Sequence, residues 1–185
     1  LPEDCRQTAL VAMRDCALQY LRHRQPAGEV VSIPWLEGFP LQGYFLLPRN
    51  AEKRSPAVIC IGEPGHRKEE FLSKVSRHAC ERGIALLAVD LFGEGTDVQF
   101  EDIVRRHKLE STIERIVDYL IGRDDIDADR IAILGDNWSS SFVARGIAFD
   151  SRFAAAVCDG GIWDANERAF LRRRALPASR DSDRN

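Results

Sequence analysis

Hydrophobic residues near the start of the chain recur every three or four positions. This spacing predicts an amphipathic helix. We expect Asp4 to cap it, with Gln7 completing a capping-box-like start, and the segment 26–28, which contains Pro26 and Gly28, to end it. The apolar positions that define the pattern are Ala9, Leu10, Met13, Cys16, Ala17, Tyr20 and Leu21.

Two stretches with alternating apolar residues follow this helix. In the first, Val31, Ile33 and Trp35 alternate with polar or smaller residues, and residues 41–47 repeat the pattern after a turn at Glu37-Gly38. A period of two on both sides of a short turn predicts an antiparallel hairpin.

From residue 56 onward, continuous apolar runs alternate with helical patterns. The runs at 57–61, 84–89, 130–135 and 153–158 are typical of parallel strands that are buried on both faces. Helices are predicted around 71–79, 109–120 and 139–149. The fold class is therefore α/β, a mostly parallel sheet with an N-terminal antiparallel hairpin and helices on both faces. The alternation of predicted strands and helices stops after about the sixth strand.

The same patterns divide the chain into three parts. Residues 1–27 are predicted to form an N-terminal helical extension, and residues 28–166 an incomplete core. Residues 167–185 are rich in arginine, serine and aspartate without periodicity, which predicts a disordered tail. Because Leu1 opens the chain and Met13 is its only methionine, we interpret the N-terminus as processed, trimmed or the start of a fragment.

Composition and charge exclude several classes of protein. A chain of 185 residues with 44% hydrophobic and 30% charged residues is typical of one soluble globular domain. Its net charge of −3 does not favour nucleic acid or an anionic membrane as a partner. No apolar run reaches the roughly 18 residues of a membrane span, and no signal peptide is recognisable.

Cysteine and glycine usage limits the expected cofactors. The five cysteines include no C-x-x-C pair, so we expect neither a disulfide framework nor a metal site, and we expect a reducing, cytoplasmic compartment. Gly93-Glu94-Gly95 lacks the third glycine of a dinucleotide fingerprint, so no nicotinamide or flavin cofactor is expected.

Four motifs at strand ends carry a resemblance to a known family. They occupy residues 43–48, 62–71, 82–95 and 126–135, in one order, and the likeness extends over about residues 5–165. The chain resembles the α/β-hydrolases of the dienelactone-hydrolase and dihydroxypseudooxynicotine-hydrolase type, which include polyketide-shortening hydrolases. The resemblance implies covalent acyl transfer on small acyl or carbonyl substrates, with the nucleophile at position 137.

The nucleophile motif of that family is altered here. The family has G-x-S-x-G, and this chain has Gly135-Asp136-Asn137-Trp138-Ser139. Asn137 is not a useful nucleophile, although asparagine tolerates the backbone angles of the turn. Ser139, in place of glycine, is expected to crowd the turn.

The resemblance also implies an oxyanion hole made of backbone N–H groups. It would use the N–H of Trp138 and one from the loop after the third strand. Pro64 has no N–H, so Glu63 or Gly65 would supply the second donor.

An acid and a base should follow the nucleophile in this family. All four histidines precede Asn137, so we expect both groups to be absent, with Asp159 only a weak acid candidate. Residues 139–141 could offer a displaced serine, but capping the next helix is favoured. For Cys158 a buried structural role is favoured over a nucleophilic one, and for His66 a solvated position over a base.

Three hypotheses remain open at this point. The first is a hydrolase-fold protein that is inactive because its nucleophile and base are missing. The second is a non-catalytic protein that binds a small acyl or carbonyl ligand or a protein partner, with a homo-oligomer formed through an exposed strand at 153–158. The third is a truncated or frameshifted gene product.

Overall fold

One six-stranded sheet organises the chain. A computed structural model describes residues 3–36, 39–51, 53–62, 67–91 and 108–160. The strands lie in the order β1-β2-β4-β3-β5-β6. Their bounds are Glu29–Leu36 for β1, Phe39–Leu46 for β2, Ser55–Ile61 for β3, Ala85–Val89 for β4, Ile126–Asp136 for β5 and Ala155–Asp159 for β6.

The sheet is mostly parallel. β1 and β2 form the antiparallel hairpin, with Val31 opposite Gly43, and β2 also runs antiparallel to β4. The pairs β4–β3, β3–β5 and β5–β6 are all parallel. The predicted fold class is therefore confirmed, including the hairpin at its N-terminal side.

Helices cover both faces of this sheet. On one face, α1, α2 and α3 bury residues such as Leu21 and Phe71 against Cys60 and Leu86. On the other, α4 and α5 pack against Ile59 and the opposite side chains of the same strands. The helices are α1 (Glu3–His23), α2 (Lys68–Lys74), α3 (Ser76–Glu81), α4 (Lys108–Ile121) and α5 (Ser139–Phe149).

The continuous apolar runs are explained by this double coverage. Every residue of β4 is buried, and alternate residues point to opposite faces, so Leu86 and Leu87 belong to different clusters. The helical spacing in α4 places Leu109, Ile113 and Ile116 in the core. Both patterns were predicted correctly from the sequence.

Some predicted details are wrong. The helix expected around 71–79 is two short helices, because the backbone departs from helical angles at Val75, with φ −116° and ψ −34°. Asp4 lies inside the first turn of α1 instead of capping it, and its carbonyl accepts a hydrogen bond from Thr8. α1 ends at His23, before Pro26. The expected tail at 167–185 lies outside the described residues.

β6 forms one edge of the described sheet. It pairs with β5 on one side only, and most of its residues are exposed, including Val157 at 47%. No helix among the described residues is long and apolar enough to cross a membrane.

Candidate functional site

A sharp turn joins β5 to α5 at the carboxyl end of the sheet. β5 ends at Asp136 and α5 begins at Ser139, so only two residues connect them. Asn137 lies at the tip with φ +46°, in the left-handed region. Asparagine adopts this conformation more readily than most residues with a side chain. The sequence prediction that Asn137 tolerates the turn is confirmed.

Close packing of backbone fixes this turn. The Asn137 N–H donates to the Asp159 carbonyl at 2.7 Å. A Cβ at Gly135 would lie 2.6 Å from the Ser139 carbonyl oxygen, and one at Gly160, where φ is +103°, would lie 3.2 Å from the Asn137 Cα. The turn therefore needs glycine at position 135, which is the first glycine of the family motif.

Three consecutive serines begin α5 and are buried. Ser139 Oγ donates to the Asp136 carbonyl at 2.6 Å, and Ser141 Oγ donates to the Trp138 carbonyl at 2.8 Å. Ser140 Oγ lies 3.0 Å from the Asp159 carbonyl. The serines start the helix as expected, but the expected capping is wrong, because these hydroxyls donate to carbonyls instead of accepting from N–H groups.

The position of Ser139 shows how the expected crowding is accommodated. The Ser139 side chain is buried, and its hydroxyl turns back onto the carbonyl of Asp136. Ser139 thereby lies directly against Gly135 of β5, which has no side chain. A serine thus fits where the family has glycine.

The end of β6 lies beside the turn. Asp159 is in register with Asp136, and the Asp159 side chain is exposed. Cys158 is half-buried, with its Sγ 3.6 Å from the Ser140 carbonyl, so it is less buried than expected. Burial raises the pKa of the Cys158 thiol, which disfavours the nucleophilic thiolate.

A buried ion pair occupies the neighbouring strand ends. Lys68 is the first residue of α2, and Asp90 follows β4. The two residues are only 5% and 9% exposed. Lys68 Nζ lies 2.6 Å from Asp90 Oδ2, and the Lys68 backbone N–H donates to Asp90 Oδ1 at 2.8 Å. The pair joins the start of α2 to the end of β4.

Glu69 and Tyr44 extend this pair into a buried polar cluster. Glu69 Oε1 lies 3.4 Å from Lys68 Nζ and accepts a hydrogen bond from the Tyr44 hydroxyl at 2.7 Å. Lys68 Nζ is also 5.2 Å from the centroid of the Tyr44 ring. We call these four residues, Tyr44, Lys68, Glu69 and Asp90, the charged cluster.

Burial dominates the electrostatics of the charged cluster. It raises the pKa of the Asp90 carboxyl, although Lys68 acts in the opposite direction. Burial, with Glu69 adding to it, also raises the pKa of the Tyr44 hydroxyl above its usual range. Glu69 Oε2 has no hydrogen-bond partner among the described atoms. The hydrogen-bonding capacity of the charged cluster is thus only partly satisfied.

The sequence analysis named the stretches that hold the cluster but missed the pairing itself. Lys68 and Glu69 fall within the motif at 62–71 and Asp90 within the motif at 82–95, and no contact between the two motifs was predicted. The usable signal was that Asp90 directly follows a fully buried strand, where a lone carboxylate needs a partner.

Several sequence-predicted residues are not placed. Glu63, Gly65 and His66 lie outside the described residues. Trp138 is described and directly follows Asn137, but the role of its N–H in an oxyanion hole stays a prediction. Within the described ranges, no group of three or more histidine, cysteine, aspartate or glutamate side chains could hold a metal ion.

Comparison with known proteins gives relatives of one kind. The chain is 27% identical over 172 residues to the alpha/beta hydrolase ucsC of Acremonium sp, covering 84% of this chain and 34% of that protein. It is 30% identical over 156 residues to the alpha/beta hydrolase gkaG of Penicillium citrinum, covering 78% and 36%. The chain thus spans about a third of the length of these relatives. No family model matches the chain.

Solved structures show the same architecture. The crystal structure of 2,6-dihydroxy-pseudo-oxynicotine hydrolase superposes with a TM-score of 0.69 at 22% identity. The match covers 85% of this chain and 44% of that one. At this identity the likeness concerns the fold alone.

Proposed function

Because the chain belongs to the α/β-hydrolase superfamily and is similar to its dienelactone-hydrolase-like members, we propose that it keeps the nucleophile turn of that fold without its hydrolytic activity. The observation that carries the proposal is Asn137 at φ +46° between β5 and α5. The turn holds residue 137 at the carboxyl end of the sheet, but its side chain carries an amide and not a nucleophilic hydroxyl.

Neighbouring side chains do not replace the missing nucleophile. The Ser139 and Ser141 hydroxyls both donate to main-chain carbonyls and are buried. The Cys158 thiol has a raised pKa, which keeps it protonated at neutral pH. Hydrolysis through a displaced nucleophile would need one of these contacts to break first.

A general base is the second requirement. In this family the histidine follows the nucleophile in the chain. All four histidines of the 185 residues precede Asn137. We therefore propose that the 185-residue chain cannot activate even a restored serine efficiently.

The test is hydrolysis of p-nitrophenyl acetate by the 185-residue chain, by Asn137→Ser and by Asn50→Ser. Asn50 is an exposed turn residue after β2 and serves as the matched control. We expect the unmodified chain and the control to hydrolyse no faster than buffer. Asn137→Ser should add at most slow, stoichiometric acetylation of the serine, because no base assists turnover.

Two outcomes of this assay change the interpretation. Multiple turnover in the unmodified chain that survives Asn137→Ala would contradict the proposal and indicate a displaced nucleophile. Rapid turnover in Asn137→Ser would show that a base is present after all, and that only the nucleophile was lost.

A non-catalytic binding role is the second candidate. The Asn137 side chain is exposed at the carboxyl end of the sheet, and its amide offers a donor to a carbonyl oxygen. A small acyl or carbonyl ligand would bind at the turn without reacting. An inactive chain whose Asn137 and Trp138 amide resonances shift with acetophenone would support this role.

The edge strand β6 supports a proposal on assembly. β6 pairs on one side only in the described sheet, and Val157 is 47% exposed. We propose that a second copy of the chain pairs along this edge. Val157→Lys should shift the mass in sedimentation toward monomer, whereas Val11→Lys, on the exposed side of α1, should leave it unchanged. A monomeric parent chain would contradict the proposal.

We also propose a reducing, cytoplasmic location, in which the cysteines remain free thiols. All five are free, and Cys60 is fully buried among apolar residues. Burial keeps the pKa of the Cys60 thiol far above its usual value.

A further inference from the structure

A cavity lies at the end of the sheet opposite to the Asn137 turn. Its volume is about 790 Å³, and its lining includes Arg49, just after β2, and Gly83, just before β4. β2 runs antiparallel to β4, so both residues lie near the amino ends of the parallel strands. The five residues of β4 alone separate the two ends by roughly 16 Å.

Positive charge dominates the lining of this cavity. The lining contains three arginines, Arg24, Arg49 and Arg77, with one carboxylate, Glu81, and one histidine, His23. Arg77 is paired with Glu81 at 2.8 Å, so their charges largely cancel. Arg24 and Arg49 remain, in a chain whose net charge is −3. The cavity therefore attracts anions against the overall charge of the chain.

Arg24 is held in a fixed orientation. Its Nη1 donates to the Pro26 carbonyl at 2.8 Å and its Nη2 donates to the Leu47 carbonyl at 2.7 Å. Nη2 also lies 3.4 Å from Cys80 Sγ. A cation fixed by main-chain carbonyls loses little side-chain entropy when a ligand binds.

Part of the cavity lining is apolar. Leu72 and Cys80 contribute from α2 and α3, and the Tyr20 ring contributes from α1. The Tyr20 hydroxyl and Ser76 Oγ are 3.1 Å apart, a hydrogen bond that fixes this wall. A lining that combines apolar side chains with two arginines is suited to a ligand with an apolar body and one anionic group.

We propose that this cavity binds a small organic anion, a carboxylate, sulfonate or phosphate ester on an aromatic or aliphatic body. Arg49, which is exposed, supplies one cation, and Arg24, held by main-chain carbonyls, supplies the other. The site is separate from the Asn137 turn. The proposal therefore does not rest on the proposed function and would stand if that function failed.

The test is a titration of the 185-residue chain with 2-naphthoate, followed by calorimetry and by amide chemical shifts. We expect a dissociation constant below about 1 mM. The uncharged isostere 2-naphthamide should bind at least several-fold more weakly. The largest shifts are expected at Arg49, Cys80 and Gly83, with Asn137 and Gly160 unaffected.

Matched variants separate the cavity from general charge effects. Arg49→Gln should weaken binding of 2-naphthoate about threefold to tenfold, as expected for losing one partly exposed ionic contact. Arg115→Gln removes the same charge from the exposed side of α4, across the sheet, and should leave the affinity unchanged. Asn137→Ser should also leave it unchanged.

Three results would overturn the proposal. They are equal affinity for 2-naphthoate and 2-naphthamide, equal weakening by Arg49→Gln and Arg115→Gln, or chemical shifts that cluster at the Asn137 turn. Circular dichroism of each variant shows whether it is folded. If Arg49→Gln is unfolded, the shift pattern of the unmodified chain and the comparison with the amide decide between the outcomes.

Discussion

The turn after β5 and the charged cluster lie at the same end of the sheet but are built from different interactions. At the turn, main-chain atoms contact each other directly, and two glycines make room for them. In the charged cluster, side chains with opposite charges are buried against one another. The turn depends on small residues, whereas the cluster depends on matched partners.

This difference explains how the turn can keep its backbone shape when the residue at its tip changes. The turn requires only that residue 137 tolerate a positive φ and that residue 135 be glycine. Asparagine meets the first condition at modest cost. The charged cluster has no such freedom, because a buried charge that loses its partner is strongly unfavourable.

Single substitutions in the Lys68–Asp90 pair should have the largest effect. Asp90→Leu leaves the Lys68 ammonium buried without its main partner, and we expect it to lower the free energy of unfolding by about 3–5 kcal/mol. The double variant Lys68→Met/Asp90→Leu should recover most of this loss, since two apolar side chains replace two charges. Urea denaturation of the four chains in the cycle measures both effects.

The exposed pair Arg77–Glu81 is the control for this cycle. It has a similar contact distance of 2.8 Å but lies on the outer side of α3, so Arg77→Met should change stability little. If the Asp90 variant is no less stable than the Arg77 variant, burial of the Lys68–Asp90 pair has no energetic consequence and the contrast with the turn fails.

The pH dependence of the same variants tests the raised pKa of Asp90. A carboxyl with a higher pKa in the folded than in the unfolded chain contributes stability below about pH 4, and that contribution is lost as the pH rises through the folded value. The parent chain should therefore lose stability relative to the double variant as the pH increases from about 4. A difference that stays constant with pH would contradict the raised pKa.

At the turn, Gly135→Ala should be the most damaging change. The new Cβ would lie 2.6 Å from the Ser139 carbonyl oxygen, so β5 and α5 must separate. We expect a loss of about 3 kcal/mol in urea denaturation. Gly122→Ala, where the nearest atom would be 3.4 Å away, should cost less than about 1 kcal/mol. Similar losses in both variants would show that the turn is not tightly packed.

Sequence patterns predicted the fold well because burial of a strand or a helix face imposes a regular spacing of apolar residues. The buried strand β4 and the apolar face of α4 follow directly from runs and spacings that burial imposes. The break at Val75 left no signal, because the spacing of the buried residues Phe71, Leu72 and Ala79 is the same whether the segment is one helix or two. The Lys68–Asp90 contact is not periodic, since it joins residues 22 positions apart through the packing of α2 on β4.

The candidate site was predictable in part. The family motif located Gly135 and Asn137, and asparagine was expected to tolerate the backbone angles of the turn, where its φ is +46°. The donation of the serine hydroxyls to carbonyls was not predictable, because a serine at a helix start is able to cap or to back-bond. Which of the two occurs depends on how closely β5 and α5 approach.

The smallest expected effect concerns Asn137 itself, where only the backbone angle should matter. The side chain is exposed, so its removal loses little packing. Alanine pays the full penalty of a left-handed conformation, and we expect Asn137→Ala to lower stability by about 1 kcal/mol. Glycine relieves the angle but adds entropy to the unfolded chain, so Asn137→Gly should stay within about 0.5 kcal/mol of the parent. If alanine and glycine are equally stable in urea denaturation, the positive φ carries no strain, and the turn is held by the Gly135 and Gly160 contacts alone.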